Sequence, residues 1–322
     1  MIISKTPLRM SFFGGGSDLA SYYENSKIGY GSVISTSINM FIYITVNKRR
    51  DDKIRIVYFG NELVDSVGEV KHDIIRNALK LLDIKGGIEI FYTADISISS
   101  AGVGLSSSSA LTVGVLHALH TYKNEVVSKE TLAREAYYIE RECIGQACGI
   151  QDQLAVSFGG FRRYRFYSNG EITAEPIACK KEYIKELKDS LLLYYMGATQ
   201  SKRDSGKILK DQDKNNATNM ERIDQLVMSV DRNYNSLLNG NIHSWGIEFD
   251  KAWAIKKELA SGVSTKEIDQ FYDLAKANGT VGGKILGAGG GGFMLLFVEK
   301  EKKEQLKEAL SEYELVDFEF EA

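Results

Sequence analysis

Cysteine is scarce in this chain: three residues in 322, Cys143, Cys148 and Cys179, an odd number whose spacing fits no metal-binding pattern. That excludes a disulfide framework and makes a reducing compartment the expectation. An excess of either charge is missing too. Forty Lys and Arg stand against 43 Asp and Glu, a formal net charge of −3, so no broad field favours nucleic acid or an anionic membrane. No uncharged apolar run approaches the length of a membrane span. The first residues, MIISKTPLRMSFFGGGSD, place Lys5 and Arg9 among their apolar positions and show no clear cleavage site, which argues against a signal peptide. There is no internal repeat and no low-complexity tract. Proline occurs only twice. The expectation by default is a cytoplasmic protein whose partner is a small molecule.

What is present is a large apolar fraction, 43% of 322 residues, enough for a sizeable core and, by length, two domains. Residues 31–46 are rich in β-branched and aromatic side chains and predict paired strands. Ile75, Ala78, Leu79 and Leu82 have helical spacing. A strand is predicted at 88–93, an apolar helix at 110–122, a helix capped by Ser128 and running to about Gln146, and a strand at 159–167. In the second half, SLLLYYM (190–196) and FMLLFV (293–298) read as buried strands. Between them lie helices, one with Ile223, Leu226, Val227, Val230, Tyr234 and Leu237 on a face, another with Trp245, Phe249 and Trp253. A helix over 301–313 and an edge strand over 315–320 close the chain. The boundary is expected in the charged stretch KKEYIKELKD, giving domains 1–185 and 186–322.

Four places carry chemistry. The segment SSAGVGLSSSSAL (99–111) runs from glycines through serines into an apolar helix. A helix start offers unpaired N–H donors and a partial positive charge, a setting for phosphate, and a serine hydroxyl can join a Mg²⁺ shell. A plain Ser/Gly connector is the alternative. It is not a Walker A loop, since no Lys-Ser/Thr pair follows the glycines. On the next helix, Glu140 falls in the apolar stripe of Leu132, Ala136, Ile139, Cys143 and Ala147, while Glu142 points elsewhere. A carboxylate facing a core needs a cation, a metal or a route to solvent. Asp152, twelve residues on, is placed on a turn past the helix end.

The other two places are glycine loops. TPLRMSFFGGGSD sets Arg9 before Gly14, Gly15, Gly16, Ser17 and Asp18; a run of bare backbone N–H groups suits an anion or a crowded sugar, or simply a strand-to-helix turn. GAGGGG (287–292) formally fits G-x-G-x-x-G, but a strand follows it where a dinucleotide site requires a helix, so a nucleotide-dependent reductase is disfavoured.

Together TPLRMSFFGGGSD, SAGVGLSSSSAL and GGKILGAGGGGFML resemble, in order and spacing, the three motifs of the GHMP kinases. ERECIGQACGIQDQ (140–153) is most similar to the galactokinase branch of that family. The resemblance implies an α+β, two-domain fold, with an N-terminal domain like domain 2 of ribosomal protein S5 and a ferredoxin-like C-terminal domain. It implies an ATP- and Mg²⁺-dependent sugar kinase. Gly102, Val103, Gly104, Leu105, Ser106, Ser107, Ser108 and Ser109 would wrap the ATP phosphates, and Ser108 and Glu140 would hold Mg²⁺. Asp152 would face the acceptor hydroxyl, with Arg9 near the transferring phosphoryl group. Gly14 to Asp18 would bind the sugar, with Gly289, Gly290 and Gly291 lining the same site. Galactokinases carry Gly-Glu-His before the aspartate, where this chain has glycines and Ser17. That form resembles the branch acting on D-glycero-D-manno-heptose 7-phosphate at its anomeric hydroxyl. Lys5, Arg162, Arg163, Lys202 and Arg203 are then candidates to meet the existing phosphate. A kinase for fucose or galactose, and a sensor that binds ATP and sugar without turnover, are the rival expectations.

Overall fold

The computed structural model describes residues 1–95, 104–198 and 205–321. In chain order the elements are β1 (Ile2–Phe13), α1 (Ala20–Tyr23), β2 (Tyr30–Lys48), β3 (Ile54–Val57), β4 (Asn61–Val64), α2 (Asp73–Leu81), β5 (Ile88–Ala94), α3 (Ser107–Tyr122) and α4 (Lys129–Tyr138). They continue with α5 (Gln151–Phe158), β6 (Phe161–Tyr167), β7 (Ile172–Pro176), α6 (Lys181–Asp189), β8 (Leu191–Ala198), α7 (Ser205–Leu238), α8 (His243–Lys257) and α9 (Lys266–Ala277). The last are β9 (Thr280–Ile285), β10 (Gly291–Val298), α10 (Lys303–Ala309), β11 (Glu314–Val316) and β12 (Phe320–Glu321). By compactness the chain divides into a first unit (Met1–Arg9, Ser37–Ala101, Ser106–Gly159) and a second (Met10–Thr36, Gly102–Leu105, Gly160–Ala322). No helix among the described residues is long and apolar enough to cross a membrane.

The segment read as paired strands is one continuous strand, β2, of 19 residues. Its length is explained by a change of partner. Residues Tyr30 to Thr36 pair with β6 in the second unit, and Ile42 to Lys48 pair with β5 in the first. In the latter half Ile42, Ile44 and Val46 are buried while Tyr43, Thr45 and Asn47 are not, the alternation of a strand with one covered face. The first unit's strands run in the order β4-β3-β5-β2, with β3 parallel to β5. Against them lies α3, nearly all of it buried. Gly114 lets it approach, and the Ser4 hydroxyl donates to the Gly114 carbonyl at 2.8 Å.

The expected helix from Ser128 starts as read: the Ser128 side chain accepts the Thr131 N–H. It does not run on as an α-helix to Gln146. After Tyr138 the chain takes a π-turn, Ile139–Cys143. The wider turn breaks the 3.6-residue phase, so Cys143 leaves the apolar stripe and is exposed, while Ile139 and Glu140 are buried. The charged stretch KKEYIKELKD forms a helix, α6.

In the second unit β11-β8-β10-β9 form an antiparallel sheet. Every residue of β10 is buried. Its core includes Tyr194, Trp253, Phe271, Ile285, Met294 and Leu296. The segment 315–320, read as one edge strand, is split, with β11 on β8 and β12 on β2. An aromatic cluster fixes the end of β1: Phe13 stacks on Phe249 at 4.8 Å between centroids, and Phe12 and Phe13 each meet Trp245 edge-on, at 5.3 and 5.0 Å. These rings directly precede the glycines at 14–16. Phe249→Ala, which empties the centre of this cluster, is expected to cost about 3–5 kcal/mol, read as a lower midpoint in thermal or urea unfolding; an unchanged midpoint would remove the cluster from the stability of this unit.

Candidate active site

The serine-rich loop enters α3 through a strained residue. Ser106 lies in the left-handed region at φ 61°, ψ 37°, a conformation costing about 1–3 kcal/mol for a residue with a Cβ. Its hydroxyl is buried and has no hydrogen-bond partner among the described residues. The first intrahelical bond here is Ala110 N–H to the Ser106 carbonyl, 2.9 Å, so the amides of Ser107, Ser108 and Ser109 precede the helical ladder, where donors are open to an anion. Just upstream, in the second unit, Gly104 lies against the C-terminal glycine loop: a Cβ on Gly104 would stand 2.5 Å from the Leu286 carbonyl oxygen, and one on Gly287 would stand 2.6 Å from Gly104 Cα. Gly102 and Val103 lie outside the described residues.

Around Glu140 the first unit builds a cage of neutral donors. Ser108 Oγ and Thr112 Oγ1 donate to Oε1 at 3.1 and 2.8 Å, Ser109 Oγ donates to Oε2 at 3.0 Å, and Gln153 Nε2 donates to Oε2. Glu140 is 2% exposed. No cation pairs with it among the described residues. Burial pushes its carboxyl above the usual carboxylate range, against the opposing pull of hydrogen bonds from Thr112, Gln153, Ser109 and Ser108. Among the described residues neither a salt bridge to a buried arginine nor a route to solvent is found for this acid. The donor set fits Mg²⁺ in kind: a carboxylate oxygen and a hydroxyl, both hard ligands, side by side. Among the described residues no three His, Cys, Asp or Glu side chains are grouped so as to hold a metal ion.

Asp152 stands in the first turn of α5 rather than on a turn outside a helix, a position where the helix dipole favours a carboxylate. Arg9, 2% exposed on β1, forks onto it: Nε and Nη2 donate to the same oxygen, Oδ1, at 2.9 and 2.7 Å. Oδ2 takes no part in that fork, and the Asp152 side chain keeps 30% of its surface exposed. Because Gln153 is the next residue, the Glu140 cage and the Arg9–Asp152 pair are joined through a single turn of α5.

In the second unit the N-terminal glycine loop is closely built. A Cβ on Gly14, φ +82°, would fall 1.9 Å from the Ser32 carbonyl oxygen. Ser17 is fully buried; its Oγ lies 2.7 Å from the Gly14 oxygen and accepts the Ser32 N–H at 3.0 Å, so its hydroxyl shapes the loop. Asp18 Oδ1 accepts the Gly16 N–H at 3.2 Å. The connection between α8 and α9 abuts both glycine loops of this unit. A Cβ on Gly16 would reach Leu259 at 4.0 Å, one on Gly289 would meet the Val263 oxygen at 2.7 Å, and Gly290 N–H donates to that oxygen at 2.9 Å.

The basic candidates fare less well. Lys5 sits over the Phe41 ring at 3.6 Å, and Arg162 donates to the Ala174 carbonyl at 3.1 Å. Arg163 is pinned between Glu175 and Asp231, at 2.6 and 2.9 Å, with its guanidinium over the Tyr234 ring; two carboxylates already satisfy it. Lys202 and Arg203 lie outside the described residues. Sequence reasoning missed Thr112, Gln153 and the strain at Ser106. Thr112 carried a signal, standing four residues after Ser108 on the same helix face; Gln153 carried none.

Residues 71–160 match the family model described as GHMP kinases N terminal domain, and residues 235–314 the one described as GHMP kinases C terminal. A D-glycero-alpha-D-manno-heptose 7-phosphate kinase of Campylobacter jejuni is 31% identical over 96% of this chain and 93% of its own length. A galactokinase of Pyrococcus furiosus is 26% identical over 100% of this chain and 96% of its own. Among solved structures, a D-glycero-D-manno-heptose 1-phosphate kinase from Bacteroides thetaiotaomicron superposes with a TM-score of 0.80 at 25% identity, covering 99% of this chain and 96% of that one.

The raised Glu140 carboxyl makes a signed prediction for stability. A group whose folded value lies above its unfolded one contributes stability that is fully present below the unfolded value, about 4.3, and is lost as pH rises through the folded value. Without nucleotide or divalent cation, Glu140→Gln should therefore gain on wild type as pH is raised from about 4 towards 8. Melting curves of both proteins across that range test it; a variant-minus-wild-type difference that does not rise with pH would refute the burial argument.

Proposed function

The chain belongs to the GHMP kinase family and is a sugar kinase, and on that premise we propose that it phosphorylates the anomeric hydroxyl of D-glycero-D-manno-heptose 7-phosphate, using ATP and Mg²⁺. The observation that carries the chemistry is the joining of the Glu140 cage to the Arg9–Asp152 pair through one turn of α5. The acceptor is supported by the bare-glycine form of TPLRMSFFGGGSD and by the full-length likeness to the Campylobacter jejuni enzyme.

Phosphoryl transfer demands alignment and charge stabilisation more than covalent help from protein groups. In this reading residues 102–109, ending in the open amides of α3, hold the ATP phosphates and stabilise charge growing on the leaving diphosphate. Ser108 and Glu140 would hold Mg²⁺, which would supply positive charge to neutralise phosphate oxygens. Arg9 fixes the orientation of Asp152, and Asp152 directs the acceptor hydroxyl and takes its proton. An anomeric hydroxyl is more acidic than an ordinary alcohol, so a modest base suffices. Gly14 to Asp18 and Gly289 to Gly291 receive the sugar, with Ser17 shaping the loop. A cytoplasmic location and a sequence division near residue 185 belong to the same proposal.

The deciding experiment is coupled ADP release across heptose 7-phosphate, heptose 1-phosphate, free heptoses, galactose and fucose, with NMR of the product to locate the new phosphate. Turnover restricted to heptose 7-phosphate, with a new anomeric phosphate, is the expected result; preference for an unphosphorylated hexose overturns the acceptor and leaves the kinase class standing. Asp152→Asn should lower kcat by roughly 10²–10⁴ and spare ATP binding. Wild-type turnover in that variant would take Asp152 out of the chemistry.

A further inference from the structure

Three of the four donors in the Glu140 cage come from α3: Ser108, Ser109 and Thr112. The fourth, Gln153, comes from α5. It is fully buried, its amide nitrogen bonds Glu140 Oε2 and also lies 4.0 Å from Cys148 Sγ, and its Oε1 has no partner among the described residues. A buried amide with an orphaned oxygen is held by what its nitrogen does. Nothing in simple packing asks for a glutamine here; an apolar side chain of the same volume would avoid the orphaned atom.

We infer that Gln153 is a positioning residue that ties the carboxylate placed for Mg²⁺ to the helical turn carrying Asp152, so that cation and acceptor hydroxyl are set in one register. The side chain touches neither reactant and acts through its neighbours. Outer donors that orient a ligating carboxylate are commonly worth about 10–100-fold in metal affinity. A misplacement near 1 Å of the group facing the acceptor costs about 10²-fold in rate. Gln153 sits where one side chain serves both. Thr112 serves only the first, because it donates to Glu140 from the opposite helix.

This rests on the kinase reading, and the test separates the two. Mn²⁺, which takes the same oxygen ligands, is titrated by electron paramagnetic resonance into wild type, Gln153→Met and Thr112→Val in the presence of a non-hydrolysable ATP analogue. Turnover is then measured at saturating Mn²⁺ and ATP, and melting temperatures are recorded for all three. Both variants should bind Mn²⁺ about 10-fold more weakly or worse. At saturation Thr112→Val should recover its kcat, while Gln153→Met should stay about 10-fold or more below wild type. Adding Gln153→Met to Glu140→Gln should weaken Mn²⁺ binding no further. A Gln153→Met protein with wild-type Mn²⁺ affinity and a lowered melting temperature reduces Gln153 to packing, and full recovery of kcat at saturation breaks the link to Asp152. A wild-type chain that turns over without binding Mn²⁺–ATP sinks the metal reading and the tie together.

Discussion

A buried carboxylate surrounded by hydroxyls and an amide, with no positive charge against it among the described residues, is the constraint on which the first unit is organised. Glu140 takes hydrogen bonds from Ser108, Ser109, Thr112 and Gln153. Neutral donors lower the penalty of burying an anion without cancelling it. A protein built only for stability has no reason to keep such a group. Here the chain keeps it at the junction of α3, the turn after α4, and the first turn of α5, and each of these elements is shaped accordingly: serines open α3, the helix widens at Ile139–Cys143, and glutamine follows aspartate on α5. Burial disfavours the ionised acid, and the four neutral donors offset that cost only in part.

Much of this was legible in the residues. The three motifs and the acid at 140 could be found because small residues, serines and a charge inside an apolar stripe are local signals. The cap at Ser128 and the strand in FMLLFV could be found for the same reason. What could not be read depends on a change of phase or partner. The stripe through Cys143 assumed 3.6 residues per turn, and the π-turn broke that assumption. The β-branched and aromatic content of residues 31–46 predicts paired strands; the solution, one 19-residue strand serving different neighbours at its two ends, leaves no mark on composition. Gln153 was invisible because a lone glutamine on a helix is ordinarily a surface residue.

The second unit contributes backbone more than side chains. Its glycine loops fit against Ser32, Leu259 and Val263 so closely that Cβ atoms on Gly14 or Gly289 would collide with carbonyl oxygens. Gly104 and Gly287 meet in the same way. Of the side chains expected to add positive charge, Arg163 is already engaged with Glu175 and Asp231.

The π-turn has a consequence for how this stretch can vary. A π-turn is an α-helix that has accepted one surplus residue, and each residue of a helix turns the chain by about 100°. Deleting one of residues 141–143 would swing whatever follows by that angle and turn Asp152 out of phase with the glutamate while leaving both acids in the chain. Loops ordinarily tolerate insertions and deletions cheaply. The twelve-residue interval from Glu140 to Asp152 should not, because here chain length itself is the ruler that spaces the two acids.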